Sequence, residues 1–236
     1  MHQTHIPDWA KQRVIERRGK AHIFADMEPA RTALVVVDLQ NGFMMEGVAH
    51  SLIKGAHEIV PNVNKLAASL RAAGGVVVWI RNTASEESLK SWSIAYEKLA
   101  NPVRAKKRME SLKPGSIGHQ VWAGMDVQPD DLIVDKTRFS AFIQGSSNIE
   151  AVLRGRGVDT VLITGTSTSV CCESTARDAA MRNFQTIMVS DGLAAGTDEE
   201  HNAALLNFYL TFGDVMTTDE AIGYLQVNAK ASAARA

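Results

Sequence analysis

The run TALVVVD at Thr32–Asp38 is apolar throughout, mostly β-branched, and closed by a single acid. A strand with one wet face would alternate polar and apolar residues. This one does not, so it reads as a parallel strand covered on both faces. Five further runs repeat the theme: Gly75–Ile80 (GVVVWI), Asp131–Asp135 (DLIVD), Val158–Thr164 (VDTVLIT), Thr186–Ser190 (TIMVS) and Asp214–Thr217 (DVMT). Helical signals lie between them. His57–Ala73 spaces Ile59, Val63, Leu66 and Leu70 by three and four and stops at Gly74-Gly75. Ser147–Leu153 opens on a Ser-x-x-Glu pattern, Ser147 to Glu150, which predicts a capping box. Glu173–Phe184 and Glu199–Phe208 read as two more helices. Strand alternating with helix predicts the α/β class, one doubly wound parallel sheet with helices on both faces.

The flanks are less regular. Residues 1–29 read as an N-terminal arm with a short charged helix, residues 30–226 as the single domain, and 227–236 as a frayed, flexible tail. Residues 81–130 form a long insertion between strands two and three. It carries Trp92, Trp122 and a basic cluster (Arg104, Lys106, Lys107, Arg108) that reads as a solvated face. Lys plus Arg number 25 against 26 Asp plus Glu, so the net charge of −1 offers nucleic acid no electrostatic hold. The two cysteines are adjacent, which excludes a disulfide-rich scaffold and a four-cysteine zinc site. The apolar runs fall far short of the roughly 18–20 residues that span a bilayer. With no signal-like segment at the polar N-terminus, a cytoplasmic protein without a membrane partner is expected.

Open parallel sheets bind ligands beyond the carboxyl ends of their strands. Strand one ends in Asp38, strand three runs into Asp135-Lys136, and strand four ends at Thr164-Gly165, followed by Thr166-Ser167-Thr168-Ser169-Val170-Cys171. Singly, each has an ordinary reading: a turn acid, a solvated lysine, a small buried thiol. Jointly they make one mechanism. A thiol at a helix N-terminus, with Thr168 or Ser169 as cap, has its thiolate favoured by the helix dipole. A carboxylate can take the thiol proton and an ammonium can stabilise the charge. The resulting expectation is a thiol that alkylates rapidly near neutral pH. Cys172 would point about 100° away and fill core. No zinc-ligand spacing emerges among the scattered histidines, so neither metal nor cofactor is expected.

VVVDLQNGF at 35–43, DKTRFSAF at 135–142 and ITGTSTSVCCESTARDA at 163–179 resemble the three motif blocks of the isochorismatase-like cysteine hydrolases. The resemblance implies a Rossmann-like six-stranded parallel sheet and an Asp–Lys–Cys triad at Asp38, Lys136 and Cys171. It also implies a cis peptide at Thr166–Ser167 and an oxyanion hole from the backbone N–H groups of Ser167 and Cys171. Cys172 stands where the family usually has Val, Ser169 where it has Asp or Asn, and Thr137 where relatives often have Pro. Nicotinamidases carry an Asp-x-His metal pair that this chain lacks, and isochorismatases lack the cysteine it has. Trp79-Ile80-Arg81-Asn82, the KTRFSAF block and Ala204-Leu205-Leu206-Asn207 look similar to the ureidoacrylate and carbamoyl amidohydrolases.

The expected function is therefore metal-independent cleavage of a C–N bond in a small amide, carbamoyl or ureido compound. It would run through a covalent thioacyl intermediate and release ammonia or an amine. By location, Phe43 and Phe142 are expected to wall the pocket. Gln40, Asn82 and Arg138 are expected to bind a polar or anionic end of the substrate. The alternatives are a small lactam as substrate, a non-catalytic binding or scaffold member of the fold, and a redox pair at Cys171-Cys172. A homo-oligomer, dimer or tetramer, is also implied, with the arm and the 81–130 insertion as interface candidates.

Overall fold

The computed structural model describes residues 1–234, Ala233 by its backbone alone. A charged helix, α1 (Asp8–Arg18), leads into β1 (Thr32–Val37), all six of whose residues are buried. After a single turn, α2 (Asn41–Met44), come α3 (Val60–Ala72) and β2 (Val76–Asn82). The insertion folds as three helices, α4 (Glu86–Ser91), α5 (Ser93–Glu97) and α6 (Pro102–Leu112), before β3 (Leu132–Lys136). Then follow α7 (Ile149–Arg154), β4 (Thr160–Thr166), a π-helical turn Thr168–Cys172 continuous with α8 (Glu173–Met181), and β5 (Gln185–Ala194). The chain closes with α9 (Asp198–Thr211), β6 (Asp214–Met216) and α10 (Thr218–Ala233).

The six strands are all parallel, in the order β3-β2-β1-β4-β5-β6. The order reverses between β1 and β4, which makes their carboxyl ends the switch point where a crevice opens. Successive residues of β1 serve opposite faces. Ala33, Val35 and Val37 join Val78, Ile80 and Ile163 in a core that α7, α8 and α9 cover. Leu34 and Val36 join Val77, Trp79 and Leu162 under α3 and α10. Ile59, Val63, Leu66 and Leu70 are all fully buried on that second face, as their helical spacing predicts.

At the carboxyl end the backbones close up. Gly165 has φ +112°, and a Cβ there would collide with the Val37 carbonyl oxygen. Only glycine lets β4 lie this close to β1 just ahead of the site.

Two local expectations change. Ser147 does not cap α7, because its hydroxyl donates to the Ala141 carbonyl (2.7 Å) and accepts from Ile149 N–H (3.2 Å), while Glu150 pairs with Arg182 (3.0 Å). Residues 227–233, expected to be frayed tail, continue α10 as helix; the end of that expected tail, Arg235 and Ala236, lies outside the described residues. The arm is tied down along its length. Arg18 donates to the Gly213 carbonyl (2.8 Å), Tyr209 to the Ala21 carbonyl (3.1 Å), and His2 meets Asp198 at 2.6 Å. Among the described residues no helix is long and apolar enough to cross a membrane.

Candidate active site

Asp38 follows β1 immediately and turns the chain out of the sheet with φ +55°. This left-handed region suits Asp far better than a β-branched residue. Its N–H still donates to the Ile80 carbonyl (3.1 Å) and its carbonyl accepts from Gln40 N–H (2.8 Å). The turn thus holds the carboxylate over the strand ends. Lys136 is the last residue of β3 and, like Asp38, has no exposed surface. Its Nζ lies 2.8 Å from Asp38 Oδ2 and donates to the Arg138 carbonyl at 3.0 Å. Cys171 sits in the π turn beyond β4, almost fully buried, with Asp38 and Lys136 close enough for both to act on its thiol. The structure brings the three sequence-predicted residues together.

Electrostatics decide the resting protonation. Burial pulls the Lys136 ammonium down, but the adjoining Asp38 carboxylate and Cys171 sulfur more than offset it and leave it raised. Burial pushes the Cys171 thiol up to about 12; Lys136 pulls it down and Asp38 pushes it further up. At neutral pH the site therefore holds a neutral thiol beside a charged amine. This corrects the expected resting thiolate, since desolvation outweighs the ammonium. Neither oxygen of Asp38 meets hydrogen-bond geometry with any group among the described residues, the lysine contact included.

The nucleophile turn is held by its backbone. Val170 and Cys172 both donate to the Ser167 carbonyl at 3.1 Å. Neither Thr168 nor Ser169 caps α8, which has Cys172 at its N-cap and no side-chain cap bond. Thr168 Oγ1 instead lies 3.0 Å from His201 Nδ1, so α9 braces the turn. The Thr166–Ser167 peptide is cis, and the Ser167 N–H meets no acceptor among the described residues. Cys172 is fully buried, with its Sγ 3.9 Å from the Thr164 carbonyl.

Cys171 faces a cavity of about 250 Å³. Of the expected substrate contacts, Phe43 and Asn82 line it. The other three do not, each for a visible reason. Gln40 is consumed in a brace: its amide donates to the carbonyls of Asn82 (3.2 Å) and His119 (2.9 Å), and its Oε1 accepts from Asn82 N–H (2.6 Å). Arg138 turns outward to Ser91 Oγ (2.9 Å) and packs on Trp92. Phe142 is core, its ring centroid 5.2 Å from that of Phe184. From the same block it is Phe139 that lines the cavity.

The insertion supplies what sequence reasoning missed. Arg104, Lys106 and Lys107 are exposed, as the solvated-face reading requires, but Arg108 is buried, and both it and Arg104 line the cavity. Their spacing of four along α6 was the available signal, since it puts both on one helix face. His50 lines the cavity too. Burial pushes its pKa down to about 3, aided by the charges of Arg108, Arg104 and Lys107. No group of three or more His, Cys, Asp or Glu among the described residues is placed to hold a metal ion.

Comparison with known proteins places the family and the fold. The isochorismatase domain family model matches residues 32–220. Ureidoacrylate amidohydrolase RutB of Pseudomonas savastanoi pv. phaseolicola is 31% identical over 235 residues, covering 91% of each chain. A cysteine hydrolase from Pseudomonas syringae pv. phaseolicola superposes with a TM-score of 0.73 at 28% identity, covering 86% of this chain and 96% of the other. N-carbamoylsarcosine amidase from Thermoplasma acidophilum gives 0.63 at 26% identity, covering 80% and 97%. With the family model spanning β1 to α10 and the fold shared along most of the chain, this protein belongs to the isochorismatase family.

Proposed function

We propose that the protein is a cysteine amidohydrolase that cleaves a C–N bond in a small amide, carbamoyl or ureido compound. The carrying observation is the buried contact of one thiol, one carboxylate and one ammonium at the floor of a small cavity. The names of the relatives point the same way, one acting on ureidoacrylate and one on N-carbamoylsarcosine.

Because the thiol is neutral at rest, its deprotonation is coupled to attack. Asp38 takes the Cys171 proton as sulfur bonds to the scissile carbon, and the carbonyl electron pair moves onto oxygen. The N–H groups of Ser167 and Cys171 receive that oxyanion; the free Ser167 N–H supports this role. The carbonyl then re-forms, the C–N bond breaks, and the proton on Asp38 passes to the departing nitrogen. A thioester or thiocarbamate remains on Cys171. Water, losing a proton to Asp38, attacks that carbon; the C–S bond breaks and the proton returns to sulfur. Lys136 stays charged throughout, holding Asp38 in place and opposing build-up of negative charge.

The test is ammonia release across amide, carbamoyl, ureido and lactam compounds, with mass spectrometry of rapidly quenched enzyme. A covalent adduct on the Cys171 peptide that forms and decays with turnover is expected. Turnover without any adduct, or retained in Cys171→Ala, rejects the covalent scheme.

A further inference from the structure

Arg108 is buried, yet no Asp or Glu pairs with it among the described residues. Its guanidinium carbon instead lies over three aromatic rings, 4.7 Å from the centroid of Tyr96, 5.2 Å from Trp92 and 5.8 Å from Phe139. Aromatic faces attract a cation but do not satisfy its five N–H donors. A buried guanidinium without a counter-anion is costly, and charged groups are otherwise found paired. Arg108 also lines the same cavity as Cys171, so its open donors face the space a substrate would fill.

Two neighbours sharpen the picture. Arg104, one helical turn back on α6, also lines the cavity; its nearest polar partner is the neutral Ser51 hydroxyl at 3.2 Å. At the end of β2, Asn82 lines the same cavity, and its Oδ1 is buried with no partner among the described residues. The cavity wall thus carries two arginines and an amide oxygen able to accept from N–H donors. We propose that Arg108, held flat by Trp92, Tyr96 and Phe139 and assisted by Arg104, is the seat for a substrate carboxylate, and that the enzyme selects small carboxylate-bearing amides or ureides over neutral ones.

This proposal rests on the amidohydrolase reading but can be tested apart from it. A planar guanidinium offers a carboxylate two parallel N–H bonds and stacks on aromatic faces; an ammonium does neither as well. A cavity of about 250 Å³ limits the ligand to a small acid. Asn82 would accept from the amide nitrogen, so the two ends of the substrate are read by different residues.

The experiment is calorimetric titration of the non-turning Cys171→Ala protein with N-carbamoylglycine and 3-ureidopropanoate, each beside its methyl ester. At least one acid should bind ten-fold or more tighter than its ester, and added salt should narrow the gap. Adding Arg108→Met should weaken the acid thirty-fold or more and its ester less than three-fold, with Arg108→Lys recovering only part. Acids binding no better than their esters would overturn the proposal without any Arg108 variant. Equal losses for acid and ester in a variant of unchanged thermal stability would overturn it too. Because no bond is cleaved, a failed turnover screen would strike the catalytic reading and leave this one standing.

Discussion

Lys136 Nζ stands 2.8 Å from Asp38 Oδ2, with both side chains wholly shielded from water. Breaking a buried pair by deleting one partner strands the other charge and costs about 3–5 kcal/mol. Lys136→Met is therefore expected to lose about that much stability along with turnover. The Asp38→Asn/Lys136→Met double variant should lose clearly less than the sum of the singles while staying inactive. Urea unfolding of the four proteins closes the cycle, and additive losses would mean the contact contributes nothing.

The two adjacent cysteines should behave differently. Cys171→Ala is expected to keep the fold and lose at least about a thousand-fold in turnover, a common scale for removing a nucleophile. Cys172→Ala should retain most activity and lose about 1 kcal/mol from a small core void. With the Cys171 thiol pushed up to about 12, its alkylation by iodoacetamide should climb about ten-fold per pH unit from roughly pH 7 to 10. A rate that levels off below pH 9 would contradict the raised thiol, and one already level at pH 7 would restore the resting thiolate.

His201 is buried between His2, its ring centroid 4.5 Å away, and Thr168. Burial and the nearby His2 lower its pKa to about 4, although Asp198 opposes them. A histidine lowered from 6.5 stays neutral in the folded state, whereas the unfolded chain takes up a proton below pH 6.5. The stability it lends is complete above that point and drains away as pH falls toward 4, by about 3 kcal/mol at most. His201→Gln should flatten this part of the stability curve. Identical slopes in wild type and variant between pH 7 and 4.5 would assign the acid sensitivity elsewhere, with His50 the next candidate.

Gly165→Ala should be among the most damaging single-atom additions available. At φ +112° the new methyl is strained and meets the Val37 carbonyl, so a loss of about 3 kcal/mol or more is expected. Wild-type denaturation midpoints in a soluble Gly165→Ala protein would contradict the close approach of β4 to β1.

What the sequence reveals here is set by periodicity and by strand ends. The unbroken apolar run at Thr32–Val37 and the spacing of Ile59, Val63, Leu66 and Leu70 are local patterns that burial must respect, and both place their elements correctly. Asp38, Lys136 and Cys171 follow because parallel strands deliver their termini to one edge. The pocket wall is harder. Gln40, Arg138 and Phe142 occupy plausible positions next to those ends, but side-chain direction within a loop depends on partners such as His119, Ser91 and Phe184 from distant segments. Arg108 departs from the solvated-face expectation for a related reason. A charge in a basic run reads as wet, and the rings that enclose it come from residues 92, 96 and 139. The Ser147 cap failed because a hydroxyl can serve only a few partners, and a loop carbonyl claimed it first.

Helices α4–α6 leave the sheet after β2 and return before β3. They bring the caged arginine to the cavity without contributing any member of the Asp38–Lys136–Cys171 set. Under the proposed reading, the arginine that seats the substrate's acid and the bond-breaking groups therefore lie on different stretches of polypeptide. Substitutions at Arg104 or Arg108 would then shift ligand preference and leave Asp38, Lys136 and Cys171 in place.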